Sequence, residues 1–155
     1  MEFRKARPSD YADIRALICA LVDDALEPDA FARILGQQIS DPNRYCLVCE
    51  EEGHVLGVLN LRFEQQLHHA ARVAEILEFV VSPKLRGRGV GRALLRKAEE
   101  VAREAGCVML EITCGCDRLN AHKLYESEGM KRTKIRFAKS LDESVKTEET
   151  NACPL

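Results

Sequence analysis

The segment that most constrains this chain runs from Glu75 to Gly91 and reads E-I-L-E-F-V-V-S-P-K-L-R-G-R-G-V-G. A β-branched, apolar run stops at Ser82-Pro83, a basic glycine-rich turn follows, and a helical pattern starts at once. The first backbone N–H groups of a helix have no intrahelical acceptor, and they lie at the positive end of its dipole. A strand that turns into such a helix through Gly87, Gly89 and Gly91 aims those groups at one point and lets a ligand approach closely. The ligand this favours is anionic, most simply a phosphate or diphosphate.

Spacing excludes two familiar phosphate loops. A nucleoside-triphosphate loop needs G-x-x-x-x-G-K-[S/T], which is absent. A dinucleotide fingerprint needs G-x-G-x-x-G, whereas Gly87, Gly89 and Gly91 lead into Ala93 and Leu94.

The chain has 155 residues, enough for one domain with a sizeable core, and 46% are apolar and 31% charged. The net charge of −2 gives no reason to expect nucleic acid as a partner. No apolar run approaches the roughly 20 residues of a membrane span. The N-terminus, M-E-F-R-K-A-R-P, is too polar for a secretion signal, so a cytoplasmic protein is expected. Seven cysteines, an odd number, then read as free thiols. Cys46-x-x-Cys49 lies in a strand-like run, which sends the two thiols to opposite faces and argues against zinc.

Periodicity predicts a strand over 3–7 and a helix from Asp10 to Val22, capped by Ser9, with Ile14, Leu17, Ile18 and Leu21 inward. A second helix starts at Pro28 and stops at Asp41-Pro42-Asn43. Strands are expected over 44–51, 54–63, 72–81 and 107–114, with a polar connection over 64–71. Residues 89–105 make the strongest helix, and residues 121–128 a short one capped by Asn120. Residues 131–139 read as a last strand and 142–155 as a polar, disordered tail. The fold class is α/β: a single domain over 1–141 with a mixed, mostly antiparallel central sheet and helices on both faces. The unit over 72–114 should be parallel and right-handed.

Arg86-x-x-Gly89-x-Gly91 after an E-x-x-x-x-V-V-x-P strand resembles the acetyl-CoA signature of the GCN5-related N-acetyltransferases (GNAT), and the resemblance covers roughly residues 2–141. Within that superfamily, A-L-I-C-A-L, D-P-N, L-H-H, E-I-L-E-F-V-V, A-E-E-V-A-R-E-A-G, A-H-K-L-Y and R-F-A-K together resemble the bacterial aminoalkylphosphonate N-acetyltransferases.

The resemblance implies an acyltransferase that uses acetyl-CoA. Arg86, Gly87, Arg88, Gly89, Val90, Gly91 and Arg92 would hold the coenzyme diphosphate. Val80 and Val81 would pair with its pantetheine arm, an amide of Phe79 or Val80 would polarise the thioester, and the family interrupts this strand with a bulge that frees such groups. Asn120 would bond to that arm or cap the helix. Glu75 occupies the position of the general base, and Glu78, which a regular strand sends to the other face, would contact the amine. Tyr125 would protonate the departing thiolate, since a phenol pKa near 10 suits that task. His68, His69 and Arg136 would bind the acceptor's anionic group. No metal site is assigned, although two histidines with Glu78 leave a divalent metal open.

The expected reaction is direct transfer to a small primary amine in a ternary complex. Left open beside it are a protein or peptide N-acetyltransferase of the same fold, a non-catalytic acetyl-CoA sensor, and homodimerisation.

Overall fold

A computed structural model describes residues 1–142. The predicted tail over 142–155 lies outside them except for Asp142, as does Cys153. Residues 1–112 form one compact unit, and residues from 113 onward belong to a second.

The first unit is an α/β layer structure. Strands β1 (Glu2–Lys5), β2 (Arg44–Glu51), β3 (His54–Gln66), β4 (Ala71–Val81) and β5 (Met109–Ile112) make one sheet in the order β1-β2-β3-β4-β5. The first three pairings are antiparallel, and β4 pairs with β5 in parallel, as the strand–helix–strand reading requires. β3 and β4 are longer than predicted. They form one long hairpin that absorbs half of the expected polar connection and leaves a turn at 67–70.

Helices α1 (Tyr11–Val22) and α2 (Pro28–Ser40) cover one face of the sheet, packing Ile14, Ile18 and Leu35 on Cys46, Val48, Val55 and Val58. Helix α3 (Val90–Glu104) covers the other and buries Val90, Leu94, Leu95, Ala98, Val101 and Ala102. Cys46 and Cys49 fall on opposite faces, as expected. Cys46 lies in the α1–α2 core, whereas Cys49 lies beside Gly57 and Leu94 under α3. Cys19, Cys46, Cys49, Cys107, Cys114 and Cys116 are all free thiols.

Ser9 does not cap α1. Pro8–Asp10 form a single 3-10 turn, and the Asp10 carboxylate accepts the Arg7 amide at 2.7 Å. Arg4 donates two further hydrogen bonds to that carboxylate, at 2.8 and 2.9 Å. A charge fixed on both sides ties β1 to the helix start more firmly than a serine hydroxyl could. Glu27 caps α2, accepting from Asp29 N and Ala30 N, with Pro28 in the first turn.

In the second unit, α4 (Leu119–Ser127) is the short helix predicted. It begins two residues early, so that exposed Asn120 lies inside its first turn instead of capping it, and Arg118 holds the cap position. The strand predicted over 131–139 is absent. Its alternation is real, but Ile135 and Phe137 are 61% and 92% exposed. A pattern of period two makes a strand only where a neighbouring edge and an apolar floor receive it.

Candidate active site

β3 reads V-L-N-L-R-F over 58–63, and alternation places Asn60 and Arg62 together on the α1–α2 face. On β4 the register shifts. Glu75 lies opposite Arg62 and Ile76 opposite Leu61, but Glu78 lies opposite Asn60, so Leu77 is an extra residue with no partner in the ladder. This is a β-bulge, which turns the strand by one residue. Glu78 therefore shares the face of Glu75, in correction of the opposite-face expectation for a regular strand.

The two carboxylates occupy different environments. Glu75 accepts from Arg62 Nη2 in an ion pair and is partly exposed. Glu78 Oε2 accepts from Asn60 Nδ2 at 2.8 Å, and the same Asn60 nitrogen reaches Gln38 Oε1 of α2 at 2.7 Å. Burial pushes the Glu78 pKa above the ordinary carboxylate range, while the Asn60 hydrogen bond and the charge of Arg44 oppose the rise. Asn60, Arg62, Gln38 and Arg44 were missed by the sequence reading. The alternation of Asn60 and Arg62 with large apolar residues is the signal that could have found the first two.

Beyond Ile76 the ladder to β5 ends, and β4 runs on to Val81. The chain then makes a single 3-10 turn at Pro83–Leu85 and an exposed turn over 86–89. Gly87 and Gly89 take φ of 75° and 74°, and Gly89 is the cap residue of α3. A Cβ at either glycine would meet nothing within 4 Å, so glycine is needed there for its left-handed backbone and not for room. Arg88 is held bidentately by Glu51 of β2, at 2.9 and 2.8 Å.

His68 and His69 lie in the β3–β4 turn, with ring centroids 4.2 Å apart. His68 is exposed, and His69 Nε2 is buried without a hydrogen-bond partner among the described residues. The ladder from Phe63↔Ala74 to Gln66↔Ala71 separates this turn from Arg62 and Glu75. Among the described residues, no three His, Cys, Asp or Glu side chains come together to hold a metal.

In the second unit Tyr125 is half-buried on α4. Burial, reinforced by Cys114 and opposed by Arg118, pushes its phenol up to about 12. Arg136 is exposed in a segment without regular structure, not in a strand. No helix among the described residues is long and apolar enough to cross a membrane.

The sequence pattern of the acetyltransferase (GNAT) family matches residues 12–130. The aminoalkylphosphonate N-acetyltransferase of Salmonella typhimurium is 38% identical over 140 residues, which are 90% of this chain and 91% of that protein. The aminoglycoside N(6')-acetyltransferase type 1 of Stenotrophomonas maltophilia is 29% identical over 92% of this chain and 95% of its own. The crystal structure of glucosamine-6-phosphate N-acetyltransferase from Arabidopsis thaliana shares the fold with a TM-score of 0.78. It is 22% identical, and the match covers 91% of this chain and 98% of that one.

Proposed function

This chain belongs to the acetyltransferase (GNAT) family, and we propose that it transfers the acetyl group of acetyl-CoA to a small primary amine, an aminoalkylphosphonate, by direct attack in a ternary complex. The observation that carries the reading is the bulged strand β4. It holds Glu75 and Glu78 on one face and leads at its end into the glycine turn that opens α3. The likeness to the Salmonella protein along nearly the whole of both chains supports the substrate class.

In this reading the turn over 86–92 binds the coenzyme diphosphate, and β4 at Phe79, Val80 and Val81 lies along the pantetheine arm. Arg88, already fixed by Glu51, presents its charge at the turn without having to be ordered on binding. Asn120, exposed in the first turn of α4, remains a candidate contact to the arm.

The proton-accepting role moves from Glu75 to Glu78. Glu75 serves as counter-ion to Arg62, which holds its charge in place. Glu78 is buried and inclined to hold a proton, the property a base needs near neutral pH. It takes a proton from the acceptor ammonium, and the freed amine attacks the thioester carbonyl. The N–C bond forms as the C–S bond breaks, and the thiolate takes the Tyr125 proton. Burial keeps this phenol protonated, with its pKa pushed up to about 12, which leaves it a weaker donor than a free phenol until the developing thiolate draws its proton.

The test is thiol release from acetyl-CoA against aminomethylphosphonate, aminoethylphosphonate, polyamines, aminoglycosides and peptides, with and without chelator. Turnover highest with the phosphonates is expected. Turnover with peptides alone would overturn the reading.

A further inference from the structure

Two rows of side chains cross the sheet on the α1–α2 face. The first runs Arg44, Arg62, Glu75 and the second Cys46, Asn60, Glu78, each matched across β2, β3 and β4 by the register. Cross-strand partners share a face and lie close. The rows are two residues apart along β3, roughly 7 Å.

The first row continues to Glu111 on β5, yet two of its guanidinium donors remain unmet among the described residues. Arg44 and Arg62 are direct cross-strand neighbours, an arrangement that costs stability unless negative charge meets it. Glu75 neutralises Arg62, whereas Arg44 makes no ion pair among the described residues and only lowers the Glu78 pKa through its charge. Arg44 Nη1 and Arg62 Nε are both buried without an acceptor there. Guanidinium nitrogens can only donate, and a buried donor left unmet carries a desolvation cost.

The second row is short of a donor. Asn60 Oδ1 is buried and unpartnered among the described residues, beside the Glu78 carboxylate. Both groups accept, and an ammonium meets both.

Resting on the acyl-transfer reading above, we propose that the acceptor is selected as a zwitterion, its ammonium on Glu78 and Asn60 and its terminal oxyanion on Arg44 and Arg62. The spacing fits an amine joined to its anion by a short carbon chain. A tetrahedral oxyanion suits the first row better than a carboxylate, because its three oxygens reach donors on two separate guanidiniums. This takes the anion away from His68 and His69, which sit at the hairpin tip.

The experiment compares aminoethylphosphonate with propylamine, which lacks the anion, in thiol release by the full chain and its Arg44→Gln and Arg44→Lys variants. In Arg44→Gln the ratio of kcat/KM for the phosphonate over propylamine should fall about 10-fold or more, the loss of one charge-assisted contact, mainly through KM. Arg44→Lys should restore part of the ratio, since it keeps the charge without the fork. An unchanged ratio overturns the assignment. Ethylphosphonate, an anion without an amine, tests it on the unaltered protein. It should inhibit propylamine acetylation competitively, and failure to do so also overturns the proposal. If the unaltered protein acetylates neither amine, the small-amine reading itself is wrong and the inference falls with it. Activity on both amines with no effect at Arg44 removes the inference alone.

Discussion

Glu75 and Glu78 point to the same side of β4 because Leu77, between them, is bulged out of register with β3. In an unbroken strand a separation of three would put them on opposite faces, one of them under α3. One inserted residue thus brings the two carboxylates together facing Arg62 and Asn60, Glu75 in an ion pair and Glu78 with its pKa raised by burial.

Glu78→Gln should lower kcat/KM by about 10²-fold or more, as expected for loss of a general base. In the unaltered protein the acid limb of the kcat/KM profile should lie above the ordinary carboxylate range. Stability should move the other way. Because burial raises the Glu78 pKa, the folded state keeps a proton that the unfolded state has lost, and stability falls as pH rises through that window. Thermal melts should therefore show Glu78→Gln more stable than the parent at neutral pH, with the difference vanishing well below the ordinary glutamate pKa of about 4.3, where both states are protonated.

Tyr125→Phe removes the proposed proton donor while keeping the ring. The turnover number should fall about 10²-fold. Calorimetric titration should show unchanged affinity for coenzyme A, which separates an acid from a packing tyrosine.

Two glycines should fail for different reasons. Gly89→Ala places a side chain at φ 74° in open space, so the cost is conformational, about 1 to 2 kcal/mol, and coenzyme affinity should drop with it. Gly57→Ala would put its Cβ 2.9 Å from Leu94 Cδ1 and 3.3 Å from Cys49 Cβ, with Leu94 fully buried. Overpacking of this kind costs about 1 to 3 kcal/mol in urea unfolding, with no direct effect on the turn.

Asp10→Asn should destabilise the fold by about 2 kcal/mol, because it weakens charge-assisted bonds from Arg4 and the Arg7 amide. The Arg4 guanidinium holds the Asp10 carboxyl below the usual range against the opposing effect of burial. Its contribution is present above the unfolded pKa and is lost as pH falls through the folded one. Unfolding followed from pH 7 to pH 2 should accordingly show a shallower acid loss in the variant.

Much of this protein is written locally in its chain. The apolar stripes of α1 and α3, Pro28 at the start of α2, the strand-to-glycine turn at 82–91 and the opposite facing of Cys46 and Cys49 depend on residue period and backbone freedom, which neighbouring residues set among themselves. The features that were misread or missed depend on partners in other elements of the fold. Asp10 displaces Ser9 because Arg4 reaches it from β1. Residues 131–139 alternate yet form no strand, and their apolar side chains Ile135 and Phe137 stay exposed. Arg44 and Gln38 become site residues only when β2 and α2 pack beside β3. The bulge in β4, implied only by the family resemblance, falls at Leu77 for the same reason: register is a property of two strands together, and only the β3–β4 ladder decides which face a carboxylate on β4 will see.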